Sequence, residues 1–240
     1  MKRILFDIET DGLVPDLTKV HSLVLLDMDT EEELSCADQK GYTSIADGMS
    51  YLKSAELLAG HNIQGFDFPA LHKLFGFEYS GEIHDTLIMS RLVWSDLKNN
   101  DFEYIKKPRG ANFPRQLIGS HSLKAWGLRL GNHKDGYSDG WEEWSEAMQT
   151  YCVQDCRANL TFYKFIMSKK PSAQSVKLEH DFAHVIRKQE AHGFHFDEVK
   201  AHKLLATLQG RQAELNDELQ VAFKPWEIRE PFTPKVNNKA

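Results

Sequence analysis

Residues 4–9 read Ile4-Leu5-Phe6-Asp7-Ile8-Glu9, and the rest of the chain is read from this stretch. Ile4, Phe6 and Ile8 alternate with Leu5, Asp7 and Glu9. That two-residue period is the period of a strand, with one apolar face and one face ending in two carboxylates. At the usual rise, the Cα atoms of Asp7 and Glu9 lie roughly 6 to 7 Å apart. Two carboxylates on one face repel, and in an interior they need protons, basic partners or cations; oxygen-rich sets suit magnesium or manganese. The same pair also occurs where a strand end emerges into water, so alone it does not specify a site. A calcium loop is excluded. Asp7 to Gly12 opens somewhat like an EF-hand, but the twelfth place is Thr18 instead of a bidentate Glu, and a strand precedes it.

Strand and helix patterns alternate after Asp11-Gly12 turns the chain, which predicts an α/β architecture. His21 to Asp27 reads as a strand, Ile45 to Ser54 as a helix, and Leu57-Leu58-Ala59 as a short apolar strand. Phe68 to Phe75 reads as a helix, with Asp67 as its N-cap and Pro69 tolerated in its first turn. A short strand near Ile83 runs into Asp85-Thr86, and a helix carries Leu87 to Trp94. Asn99 to Ser120 holds Pro, Gly and Asn with little periodicity and is expected to be a long loop. Helices are expected over Ser122 to Leu130 and Trp141 to Met167, the second ended by Lys169-Lys170-Pro171. Beyond that boundary come helical patterns at Val176 to His192 and Phe196 to Phe223, then an aperiodic, proline-bearing stretch from Pro225 to Ala240.

The 240 residues, 41% hydrophobic, suffice for one full domain and an extra piece. No signal peptide or run of about 18 uncharged residues is expected to direct the chain to a membrane. Cys36, Cys152 and Cys156 form no CxxC pair, which argues against a disulfide framework or zinc knuckle and fits a reducing cytoplasm. The net charge of −6 argues against indiscriminate coating of nucleic acid. The charge is nevertheless uneven. Lys98, Lys106, Lys107, Arg109, Arg115, Lys124, Arg129 and Lys134 face only Asp101 and Glu103 in their stretch, which reads either as a solvated loop or as a contact surface for phosphates.

Tyr151 and Asp155, four apart in a helical pattern, share one face. By themselves they are equally a core ring and a surface charge. Cys152 and Cys156 have the same spacing, and without a matching His or Cys pair they read as buried packing. His61 reads as a hydrogen-bonded loop residue.

Taken together and in order, Asp7-x-Glu9, Asn62-x-x-x-Phe66-Asp67 and Tyr151-x-x-x-Asp155 resemble the three exonuclease motifs of the DEDD superfamily. Thr150 stands where the histidine type needs His, so Tyr151 assigns the resemblance to the tyrosine branch. Gly119 to Gly131 and Tyr151 to Asp155 are further similar to family A replicative polymerases of T-odd phages. The stretch from Leu178 to Asp197 resembles the segment leading from their exonuclease into the polymerase thumb.

The resemblance implies an RNase H-like mixed β-sheet with flanking helices over residues 1–171, and over 172–240 a helical extension like the start of a thumb. It implies 3′→5′ removal of nucleotides from DNA, in the manner of proofreading, with two divalent ions, Mg2+ or Mn2+. Asp7 is then the ligand shared by both ions, Glu9 and Asp155 complete the site of the water-activating ion, Asp67 serves the second, and Tyr151 aims the water. Thr10 and Leu13 are expected to touch the last nucleotide, Asn62 to lie near the scissile end, and Lys106, Lys107 and Arg109 to contact the strand. The expected partners are single-stranded or frayed DNA 3′ ends and a polymerase domain in cis or in trans, the chain being a fragment or a split-gene product. The other readings are an RNA-trimming relative of the same fold and a catalytically silent DNA-binding module.

Overall fold

The computed structural model describes residues 2–131 and 136–224. Lys134 and the stretch from Pro225 to Ala240 lie outside them. Among the described residues five strands form one mixed sheet: β1 (Arg3–Thr10), β2 (Val20–Asp27), β3 (Glu33–Cys36), β4 (Leu57–Gly60) and β5 (Glu82–Asp85), in the order β3-β2-β1-β4-β5. β1 pairs antiparallel with β2, and β2 with β3, whereas β1–β4 and β4–β5 are parallel. The parallel pairs need crossovers, which helices α1 (Ile45–Ser54) and α2 (Asp67–Phe75) supply.

The alternation of β1 sorts its side chains into two cores. Ile4, Phe6 and Ile8 pack with Ile45, Leu52 and Leu71 from α1 and α2. Leu5, on the opposite face, packs with Met89 of α3 (Thr86–Val93), Trp126 of α5 (Leu123–Leu130) and Cys152, Phe162 and Ile166 of α6 (Glu146–Ser168). Burying a side chain of this size contributes about 1.5–3 kcal/mol. Helices on both faces of the sheet thus leave the carboxylate end of β1 under α6. The antiparallel register with β2 shifts between Glu9 and Thr10, an irregularity just after the second carboxylate, with Thr10 still paired to Val20.

Three local expectations are corrected. Asp67 is not the N-cap of α2: the helix starts at Asp67, Phe66 occupies the cap position, and no side chain caps it. Asn99 to Ser120 is not a long loop, because it holds α4 (Leu97–Tyr104) and short 3-10 turns at Pro108–Gly110 and Arg115–Leu117. Its order comes from one buried ion pair: Arg129 Nη2 donates to Asp101 Oδ2 at 2.6 Å, and the Gly119 amide donates to the same carboxylate at 2.7 Å. A polar device of this kind leaves no apolar period to read. Finally, α6 begins at Glu146 instead of Trp141, because the Ser145 side chain accepts from the Met148 amide at 3.1 Å and so caps it.

Residues up to Ala191 form one compact unit and those from His192 a second. The first unit takes in most of α7 (Ala173–His192), which buries Val176 and His180. The second holds α8 (Glu198–Ala222), capped by Asp197 accepting from the Lys200 amide at 2.9 Å. Among the described residues no helix is long and apolar enough to cross a membrane, and all three cysteines are buried free thiols.

Candidate active site

β1 brings Asp7 and Glu9 under α6, where Cys152 meets them: one ligand atom from each of the three lies within 4.8 Å of the others. The Cys152 thiol donates to the Asp7 carbonyl at 3.4 Å and lies 3.8 Å from Asp7 Oδ2. Burial, the neighbouring Cys156 and the Asp7 charge push this thiol well above its ordinary range. The sequence reading of Cys152 as buried packing holds. Its approach to Asp7 was not foreseen.

The Asp7 carboxyl is pushed well above the usual carboxylate range, first by burial and then by the charges of Glu9, Asp67 and, more weakly, Asp155. Asp7 thus feels the other three expected carboxylates, which come from β1, α2 and α6, whereas the group whose ligand atoms meet within 4.8 Å is Asp7, Glu9 and Cys152. Asp67, 3% exposed at the first position of α2, is pushed up to about 8 by burial and by the charge of Asp85, against the pull of its own amide and that of Ile8. Its Oδ1 is buried without a hydrogen bond. A buried, mutually repelling set of oxygen donors with one unsatisfied carboxylate oxygen fits a hard divalent cation.

On α6, Tyr151 and Asp155 are both partly buried on the turns flanking Cys152. The Tyr151 ring lies 5.8 Å from Tyr137 and 6.3 Å from Trp141, so an aromatic group holds it. Trp141 is fixed in turn by His21, whose Nε2 donates to its carbonyl at 3.0 Å.

Thr10 is buried and donates from its hydroxyl to the Gly12 carbonyl at 2.8 Å. Asp11 accepts from the amides of Thr18 and Lys19 at 2.8 and 3.0 Å, which closes the loop that carries Leu13. Leu13 is 73% exposed on it. Asn62 sits at φ +64°, a left-handed conformation that Asn tolerates better than most residues, and its side-chain oxygen accepts from Arg187 at 3.3 Å. His61 Nδ1 lies 2.9 Å from the Thr86 hydroxyl, a hydrogen-bonded loop residue as read.

The basic stretch divides. Lys107 and Arg109 are exposed, Lys106 is exposed and pairs with Glu103 at 2.6 Å, and Arg129 is buried against Asp101 with its guanidinium 4.8 Å from the Trp126 ring. Arg129 is therefore a structural cation. The sequence reading also passed over Asp85, whose buried carboxylate reaches the Asn62 turn, and Arg187. An Asp immediately before a helix signalled the cap at Asp85, but its long-range partners left no local signal.

Residues 4–167 match the RNase H superfamily. The chain belongs to that superfamily. The mixed sheet with flanking helices is the RNase H-like fold expected from the motifs, followed by a helical C-terminal segment. Two phage proteins, each described as a DNA-directed DNA polymerase, are similar to it. The one from Escherichia phage T7 is 31% identical over 93% of this chain and 37% of its own length. The one from Enterobacteria phage T3 is 31% identical over 92% and 37%. This RNase H-like chain thus spans 37% of the length of the relatives it matches, and its resemblance to phage DNA polymerases is borne out. Among solved structures, Brucella melitensis NrnC with bound Mg2+ aligns with a TM-score of 0.50 at 17% identity, over 81% of this chain and 90% of that one. That likeness concerns the fold.

Proposed function

We infer that the chain is a divalent-metal-dependent 3′→5′ DNA exonuclease, the proofreading part of a phage-type family A polymerase acting in the host cytoplasm. The observation that carries the reading is the meeting of Asp7 and Glu9 within 4.8 Å under α6, with Asp7 raised by the charges of Glu9, Asp67 and Asp155 and with Asp67 buried and its Oδ1 unsatisfied. Asp7, Glu9, Asp67 and Asp155 would hold two such ions, Asp7 serving both, Glu9 and Asp155 one, and Asp67 the other. Bound divalent cations supply a nucleophile at neutral pH and relieve charge on the departing oxygen.

The chain's own groups do the rest. The Tyr151 hydroxyl, its ring held by Tyr137 and Trp141, orients the attacking water. The exposed Leu13 wedges against the terminal base, with Thr10 beneath it and Asn62 at the scissile end. Contacts of this kind tolerate any base, as proofreading requires. A mismatched end unpairs at lower cost and so enters more readily. Lys106, Lys107 and Arg109 hold the strand, and residues 172–240 begin the thumb of a polymerase joined in cis or met in trans.

The test is digestion of 5′-labelled single-stranded DNA with Mg2+ or Mn2+, beside an RNA of the same sequence. Stepwise shortening from the 3′ end, stopped by EDTA and abolished in Asp7→Ala, is expected. Ladders that persist in EDTA refute the metal mechanism, and faster loss of RNA than DNA transfers the fold to RNA trimming.

A further inference from the structure

We propose that Asp85 is a positioning residue of this site, locked by His180 of α7, which fixes the turn from Asn62 to Phe66 and thereby the direction in which α2 presents Asp67. The claim deepens the exonuclease reading and rests on it.

Asp85 ends β5 and is 1% exposed. Its carboxylate accepts three backbone amides: Asn62 and Leu87 at 2.9 Å each on Oδ1, and Gln64 at 3.1 Å on Oδ2. One of these caps α3 in the ordinary way. The other two cap a second helical turn, in which the Asn62 carbonyl accepts from the Gly65 and Phe66 amides at 2.9 Å before the chain runs into α2 at Asp67. A single carboxylate therefore orients both the helix that follows it and the turn that delivers an expected metal ligand. The α2 helix has no side-chain cap of its own, so its start is set by this turn.

The backbone of Asp85 is itself held. Its amide donates to His180 Nε2 at 2.7 Å, and His180 Nδ1 donates to the Val176 carbonyl at 2.7 Å, which leaves Nε2 as the acceptor. Arg187, two turns further along α7, reaches the same turn through Asn62 Oδ1 at 3.3 Å. A Cβ on Gly65 would sit 2.3 Å from that guanidinium, so the turn is packed closely under α7.

Two variants test the claim. Asp85→Asn keeps the shape and one acceptor oxygen but turns an N–H toward a backbone N–H. Hydrogen exchange at Asn62 and Gln64 should accelerate, Mn2+ affinity by calorimetry should fall about 10- to 100-fold, and kcat on single-stranded DNA should fall with KM little changed, as for loss of a ligand-orienting partner. His180→Ala should move the same three quantities in the same direction. His180→Gln, with an amide oxygen able to accept from the Asp85 amide, should restore part of each. If Asp85→Asn lowers only the melting temperature and leaves exchange at Asn62 and Gln64, Mn2+ affinity and kcat at wild-type values, Asp85 is a helix cap and the proposal is overturned. Failure of the exonuclease reading shows itself separately, as wild-type protein that neither binds Mn2+ nor shortens DNA. The exchange measurement needs neither and still decides whether Asp85 fixes the turn.

Discussion

The Asp67 carboxyl is 3% exposed and pushed from 3.8 to about 8 by burial and by Asp85, so without a cation the fold holds it as a neutral acid. Between those two values the folded chain keeps a proton that the unfolded chain releases. The stability linked to Asp67 is therefore fully present below about pH 4 and lost as pH rises toward about 8. At ~1.4 kcal/mol per pKa unit, the loss by pH 7 is no more than ~4 kcal/mol. Asp67→Asn removes the titration. It also sets an N–H where Oδ1 has no partner, among carboxylates that welcome a donor. In EDTA the variant should melt as the wild type does near pH 4 and up to ~16 °C higher at pH 7, at roughly 2–4 °C per kcal/mol for a domain of this size. Saturating Mn2+ should narrow or reverse the gap, because a ligand at 100 times its Kd stabilises the wild type by about 2.7 kcal/mol and the variant has lost one of its donors. Differential scanning calorimetry at pH 4 to 8, with EDTA and with Mn2+, reads both effects. Taking the difference between the two proteins cancels the titrations that do not feel Asp67, among them His84 and His121, which burial holds below their ordinary range, while Asp7, raised in part by Asp67, titrates lower in the variant and adds to the pH dependence of the gap. A gap in EDTA that stays constant from pH 4 to 8 would refute the argument, as would equal stabilisation of both proteins by Mn2+.

Tyr151→Phe should lower turnover by roughly 10- to 10³-fold with Mn2+ binding retained, the mark of a lost positioning group; loss of Mn2+ binding would mean the ring shapes the site. Replacing Lys106, Lys107 and Arg109 together by Ala should weaken single-strand binding and flatten its salt dependence, read by titration at several salt concentrations. Arg129→Ala, although drawn from the same basic stretch, should instead cost about 3–5 kcal/mol of stability by denaturant unfolding, because it leaves Asp101 buried and unpaired.

What could be read in the sequence follows from how local each device is. The two-residue period of Ile4 to Glu9 displayed the central strand, and the 3.6-residue period displayed α1, α3, α5 and α7 to within a few residues. Of the candidate site, the pairing of Asp7 with Glu9 on one face of β1 was legible as a spacing, since strand geometry sets which face each takes. Local polar signals were less visible: Ser145 moved the start of α6 past an aromatic run that looked helical, and Asp67 resembled a cap but is the first residue of α2, buried and capping nothing. The Asp101–Arg129 pair and the Asp85–His180 contact join residues far apart in the chain, and nothing in either neighbourhood announces a partner.

The alternation of β1 gives its length a parity. Moving the strand by one residue would aim Ile8 at the carboxylate cluster and drive Asp7 and Glu9 into the apolar layer under α1 and α2, whereas a shift of two would keep every side chain on its own side. A single-residue insertion between Arg3 and Glu9 therefore damages the core and the chemistry together, and residues added in pairs spare the facing if not the reach. Lineages of this chain should accordingly vary in length after Thr10, where the register with β2 is already broken, and hold their count before it.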